Sequence, residues 1–165
     1  MGQINPIEYF KENNRILYWQ RNQESYKKWF KKQLKHLLLE IEEGSTDKEL
    51  NSFMYRLGLG YYGIGKQSGI PSGIITEDSK TNPSTDDHVF GVVEIGKYIH
   101  QKFEESGYDL NYMVNEWLYE NLWLWMTIKV SKIEHKKENI IRNGHTIEDK
   151  KLFKHYKKVS NFLFS

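Results

Sequence analysis

From Ile7 to Glu43 the sequence contains neither proline nor glycine, whereas six glycines fall between Gly58 and Gly73. Nothing in the first stretch interrupts a helical hydrogen-bond ladder, and it is rich in Lys, Glu, Gln and Leu. It reads as one long helix, or two with a bend near Asn22. Tyr18, Trp29, Phe30, Leu34, Leu37, Leu38 and Ile41 recur at three- and four-residue steps and supply one buried stripe. Gly44 stops this helix, and Ser45 or Thr46 caps a second with Lys48 to Leu57 as its body.

Beyond the glycines the signals are shorter. Gly58 to Gly73 reads as a loop or a pair of short strands, Ile74 and Ile75 as a small strand, and Thr76 to Pro83 as a polar turn. Val92 to Glu105 has helical spacing and ends at Ser106-Gly107, and Asn111 to Tyr119 reads as another helix. Leu122 to Val130, dense in aromatic and β-branched residues, is the best strand. Ser131-Lys132-Ile133-Glu134 has the form of a capping box opening a helix that carries His135, and Thr146 to Asp149 is a weaker form opening the last helix. These elements predict an α+β fold: one predominantly helical domain over 1–165 with a small β element. Within it lie a helical part (7–57), a Gly-rich loop region (58–83), a core segment (84–140) and a C-terminal helix (141–165).

The 165 residues suit one domain with a real core, and 15% aromatic content with three prolines argues against disorder. Cysteine is absent, which excludes disulfides, thiolate zinc sites and cysteine nucleophiles. Any metal would be held by His, Asp, Glu or Asn. No apolar run approaches 18 residues, the N-terminus lacks the basic-then-apolar order of a secretory signal, and Pro6 stands where a myristoylation start wants Ser or Thr. A cytoplasmic protein with no membrane partner is expected, in a host cell's cytoplasm if the chain is phage-encoded.

The net charge of +2 conceals an asymmetry. Arg15 to His36 carries seven Lys or Arg against one acid, and Lys129 to Lys158 carries ten against four. Leu37 to Ile128 carries six against fifteen. Two basic arms therefore flank an acidic middle. Basic arms suit a phosphate backbone and an acidic centre suits a divalent cation, although solvated helix faces produce the same runs.

Gly60-Tyr61-Tyr62-Gly63-Ile64-Gly65-Lys66-Gln67 resembles a phosphate-binding P-loop, but Gln67 replaces the hydroxyl that would hold magnesium. The flanks also differ: a helical pattern precedes it, and Gly69, Pro71 and Gly73 prevent a helix after it. A structural turn or nucleic-acid contact loop, with Lys66 against phosphate, is the expectation.

Ser84-Thr85-Asp86-Asp87-His88 sets two carboxylates before an imidazole, which can serve as ligand and general base for hydrolysis. Downstream stand Asn121-Leu122, then His135, Lys136, Lys137 and Asn139. This order of DH, NL, then H followed by K resembles the core of HNH endonucleases, also called His-Me finger or ββα-metal endonucleases. The resemblance covers Thr85 to Ile140 and implies a ββα-metal-like core that hydrolyses DNA phosphodiester bonds. It implies that Asp87 and His135 bind the metal, His88 is the general base and Asn121 braces the site. Asn139, one helical turn after His135, is a further candidate ligand. Lys132, Lys136, Lys137 and Arg142 are candidate phosphate contacts. Magnesium is the expected divalent metal, with manganese or zinc as alternatives.

The spacing between His88 and Asn121 requires an inserted helical hairpin. Asp86, Glu94, Glu116 and Glu120 remain alternative ligands, Asp86 foremost. A polar turn at Asp86-Asp87-His88 and a surface His135 are the ordinary alternatives residue by residue. Two other functions remain open: a nucleic-acid-binding protein without chemistry, and an assembly subunit using the aromatic Trp117 to Trp125 stretch. Small size and Lys, Asn and Ile enrichment associate with phage or mobile-element proteins. Oligomeric state is left open.

Overall fold

The computed structural model of the protein describes residues 6–13, 15–60, 69–136 and 162–164, with side chains over 8–12, 21–60 and 69–136. The Pro/Gly-free stretch forms two helices, α1 (Pro6–Asn13) and α2 (Arg15–Glu42). Asn22 lies inside α2, and no bend is needed there to account for the two helices. Phe10 of α1 is buried in the same core as Tyr26, Phe30, Leu34 and Leu37 of α2. α2 runs through Asn22 without interruption.

Thr46 caps α3 (Asp47–Leu59) in a full capping box: its hydroxyl accepts from the Glu49 amide while the Glu49 carboxylate accepts from the Thr46 amide. α3 packs antiparallel against α4 (Val92–Glu105), Gly58 facing the Val92 carbonyl and Gly96 facing the Met54 carbonyl. A methyl group at either glycine would collide with that carbonyl, so the two backbones touch because both positions lack a side chain.

A four-stranded sheet forms the other layer, in the order β2 (Ser84–His88), β3 (Met126–Ser131), β1 (Ile70–Thr76), β4 (Phe162–Phe164). β3 is antiparallel to β2 and parallel to β1, and β4 is antiparallel to β1. The register of β1 against β3 shifts between Pro71 and Ile75. Ser72 supports this irregularity, its hydroxyl donating to the Thr127 carbonyl at 2.6 Å and accepting from the Ile74 amide at 3.1 Å.

Between β2 and β3 the chain runs through α4 and a second helical segment, in which α5 (Leu110–Tyr112) passes through a π turn (Met113–Trp117) into α6 (Leu118–Glu120). Leu122–Trp125 is a 3-10 turn, and the strand begins only at Met126. Leu122, Leu124 and Trp125 are all buried, so the chain is apolar on more than one side there and does not alternate as a sheet strand would. Trp125 Nε1 donates to the Leu57 carbonyl at 3.0 Å, and the ring packs edge-on against Tyr26, Trp29 and Phe30. Phe30 in turn stacks on Trp117 at 6.0 Å between centroids. This aromatic cluster joins α2 to the insert and the sheet.

After β3 a further helix, α7, is described over 132–136. The molecule is thus a predominantly helical α+β domain with a small sheet. The expected C-terminal helix gives way at Phe162–Phe164 to strand β4; the start expected at Thr146 lies outside the described residues.

Candidate functional site

The antiparallel pairing of β2 with β3 sets Asp87 opposite Ile128 and His88 opposite Thr127. Side chains alternate along a strand, so Asp87 and His88 leave β2 on opposite faces. Their partners bear this out.

On the first face, Asp87 is buried and its Oδ1 lies 3.2 Å from Nδ1 of His135, whose side chain is 35% exposed. His135 is brought there by the start of α7. The Glu134 amide donates to the Ser131 hydroxyl at 3.1 Å and the Glu134 carboxylate accepts from the Ser131 amide at 2.9 Å, the capping box read from the sequence. The same carboxylate oxygen accepts from the Thr76 hydroxyl on β1. Consecutive residues of α7 therefore contact strands on either side of β3: Glu134 holds β1, and His135 meets Asp87 on β2. Glu134 is buried, and its fit to two donors fixes where the first turn of α7 lies. Its role as a cap was legible in the sequence; its hold on Thr76 was not, because that partner lies 58 residues away.

On the second face, His88 Nε2 lies 2.9 Å from the Leu59 carbonyl at the end of α3. A carbonyl only accepts, so Nε2 carries the hydrogen, and in the neutral ring Nδ1 is the acceptor. A side chain at Gly69 would meet Nε2 at 2.9 Å, so His88 sits between the residues that bracket the segment 61–68. The Leu59 carbonyl thus holds the His88 ring. Asn121 donates from its side-chain amide to the Trp117 carbonyl at 2.8 Å, closing the end of a helix.

Asp86 shares this second face, opposite exposed Lys129. The two border a half-open pocket of about 200 Å³ whose floor includes Thr127, Ser72 and Gly73. Lys132 and Lys136 are exposed on α7. Lys66, Lys137, Asn139 and Arg142 lie outside the described residues.

The Asp87–His135 pair provides one carboxylate oxygen and one imidazole nitrogen. Adjacent ligands of one octahedral cation, each about 2.1 Å from it, stand about 3 Å apart, so a 3.2 Å separation matches two neighbouring ligand positions. Among the described residues no group of three His, Asp or Glu side chains gathers around a common point. A cation here would take its remaining ligands from water and substrate, as magnesium commonly does. Among the described residues no helix is long and apolar enough to cross a membrane. No protein-family model matches the chain, and no curated protein or solved structure does.

Proposed function

We propose that the protein is a metal-dependent endonuclease that hydrolyses phosphodiester bonds in DNA. The observation that supports this reading is the approach of Asp87 to His135, an acid on one strand and an imidazole on the helix that follows its partner strand. That β–β–α arrangement, with the order DH, NL, H, resembles the HNH endonuclease core. Asp87 and His135 would hold the divalent cation, with magnesium the preferred ion, manganese or zinc as alternatives and Asn139 as a further ligand. Bound there, the cation supplies Lewis-acid stabilisation of charge on a phosphate. The same resemblance assigns His88 as the general base; its ring is held through Nε2 by the Leu59 carbonyl on the face of β2 opposite Asp87, so a substrate would have to reach around this edge strand to meet both residues. Lys132 and Lys136, exposed on the helix that carries His135, contact flanking phosphates, with Lys66, Lys137 and Arg142 as further candidates. The cytoplasm, of a host cell if the chain is phage-encoded, is the compartment this reading implies.

A second reading is favoured by one observation: strand alternation sends Asp87 and His88 to opposite faces of β2. In that reading the protein binds nucleic acid without cutting it. Plasmid nicking with titrated magnesium, comparing the wild type with Asp87→Ala, His88→Ala and His135→Ala, separates the two. The nuclease reading expects cleavage by the wild type and a loss of at least about 100-fold in each variant. No wild-type cleavage of any DNA with any of the three metals, or equal cleavage by all four proteins, would overturn it.

A further inference from the structure

The longest helix carries a row of cations unrelated to the Asp87–His135 pair. On α2, Tyr26, Phe30, Leu34 and Leu37 are fully buried, whereas Arg21, Lys28, Lys31, Lys32 and Lys35 are exposed. At 100° per residue these five fall within about 100° of one another, on a single outward face some 21 Å long. Glu24 is the acid between Arg21 and Lys35 on that face, and it lies in the N-terminal half of the row.

Two features separate this row from an ordinary solvated face. Lys28–Lys32 and Lys31–Lys35 are like-charge i,i+4 pairs, and Lys28–Lys31 and Lys32–Lys35 are like-charge i,i+3 pairs. Such pairs weaken a helix rather than support it. The lysines of α4 behave differently: Lys97 pairs with Glu94 at 3.8 Å and Lys102 with Glu105 at 3.1 Å. Among the described residues no carboxylate pairs with Lys28, Lys31, Lys32 or Lys35. From Lys28 to Lys35 the face carries no acid to offset this repulsion, as a surface matched to a polyanion does.

We propose that this face of α2 docks the phosphate backbone of a nucleic acid. The choice of nucleic acid over an anionic lipid surface follows from the same helix. A membrane-lying helix inserts its apolar side, and that side of α2 is consumed by the protein's own core. Among the described side chains of α2, Leu39, 53% exposed, is the one large apolar residue that is exposed. The remaining contact chemistry is point charge on flexible stems, which reads phosphates and not base edges. The identity of the occupant rests on the function proposed above, but the docking face contains none of the residues assigned to hydrolysis.

Fluorescence anisotropy of a labelled DNA duplex, in EDTA and across a potassium chloride series, tests the proposal without any cleavage. Log affinity of the wild type should fall steeply with log salt. The Lys28→Gln, Lys31→Gln, Lys32→Gln, Lys35→Gln quadruple variant should show a slope shallower by about 3–4 and at least tenfold weaker binding at low salt. Lys97→Gln, which removes an exposed lysine of α4 outside the row, should bind as the wild type does. Should the quadruple variant lose its helical circular dichroism, protection of these four lysines from acetylation by added duplex, read by mass spectrometry on the wild type, gives the same answer. An unchanged slope, no protection, or wild-type binding to phosphatidylserine vesicles but not to DNA would overturn the proposal. Failure of the nuclease reading looks different: no product with metal, while binding still depends on the four lysines.

Discussion

The Asp87 carboxylate meets the His135 imidazole at 3.2 Å, tying the edge strand β2 to the first turn of α7. Because Asp87 is buried and His135 is fixed from below by Glu134, the two should be energetically coupled. A double-mutant cycle with Asp87→Ala and His135→Ala, measured by urea unfolding without metal, should give a coupling on the order of 0.5–3 kcal/mol. Additive effects would mean that the contact contributes nothing to the fold. With magnesium present, the wild type should gain stability and the Asp87→Ala variant should not, which a thermal melt would read.

Glu134 offers a sharper test of how the site is positioned. Ser131→Ala removes one cap bond and should cost about 1 kcal/mol. Glu134→Ala leaves both the Thr76 hydroxyl and the Ser131 amide without their shared acceptor, and should cost more, about 2–4 kcal/mol. Glu134→Gln retains an acceptor oxygen and should recover most of that loss. If Glu134 positions His135, cleavage should follow the same order as stability even where all three variants are folded at the assay temperature.

At His88 structure and chemistry can be separated. His88→Ala removes the partner of the Leu59 carbonyl and should lower stability by about 1 kcal/mol. His88→Gln places an amide donor at a similar reach and should restore folding but not a general base. Stability recovered with cleavage still reduced about 100-fold supports the base assignment. Cleavage restored by glutamine would show that His88 is a brace alone.

The contact between α3 and α4 should tolerate no side chain. Gly96→Ala and Gly58→Ala each drive a methyl group into a backbone carbonyl, at Met54 and Val92, so the helices must separate. A loss of about 3 kcal/mol or more is expected, seen as a fall in Tm. Gly107→Ala is the control: its backbone has φ +73° but open space around it, and only about 1–2 kcal/mol of conformational strain should result. Equal costs at Gly96 and Gly107 would contradict the close approach.

Local chemistry was legible in the sequence by itself. Thr46 with Glu49 and Ser131 with Glu134 satisfy helix ends through atoms three residues apart, and Val92 to Glu105 carries its helix in its own spacing. The predominantly helical α+β class follows from such signals, since each depends on neighbours along the chain. Tertiary structure alone decided the rest. The late start of β3 follows from the bond of Trp125 to Leu57. The strand Ile70–Thr76 extends well before Ile74 because β3 is there to pair with it. The meeting of Asp87 with His135, the hold of Leu59 on His88 and the turning of Asn121 to Trp117 depend on which strands become neighbours and on which face each residue leaves them. The physical reason is range: a cap or helical stripe is closed by residues a turn away, whereas sheet order and strand register are set by the packing of the whole core.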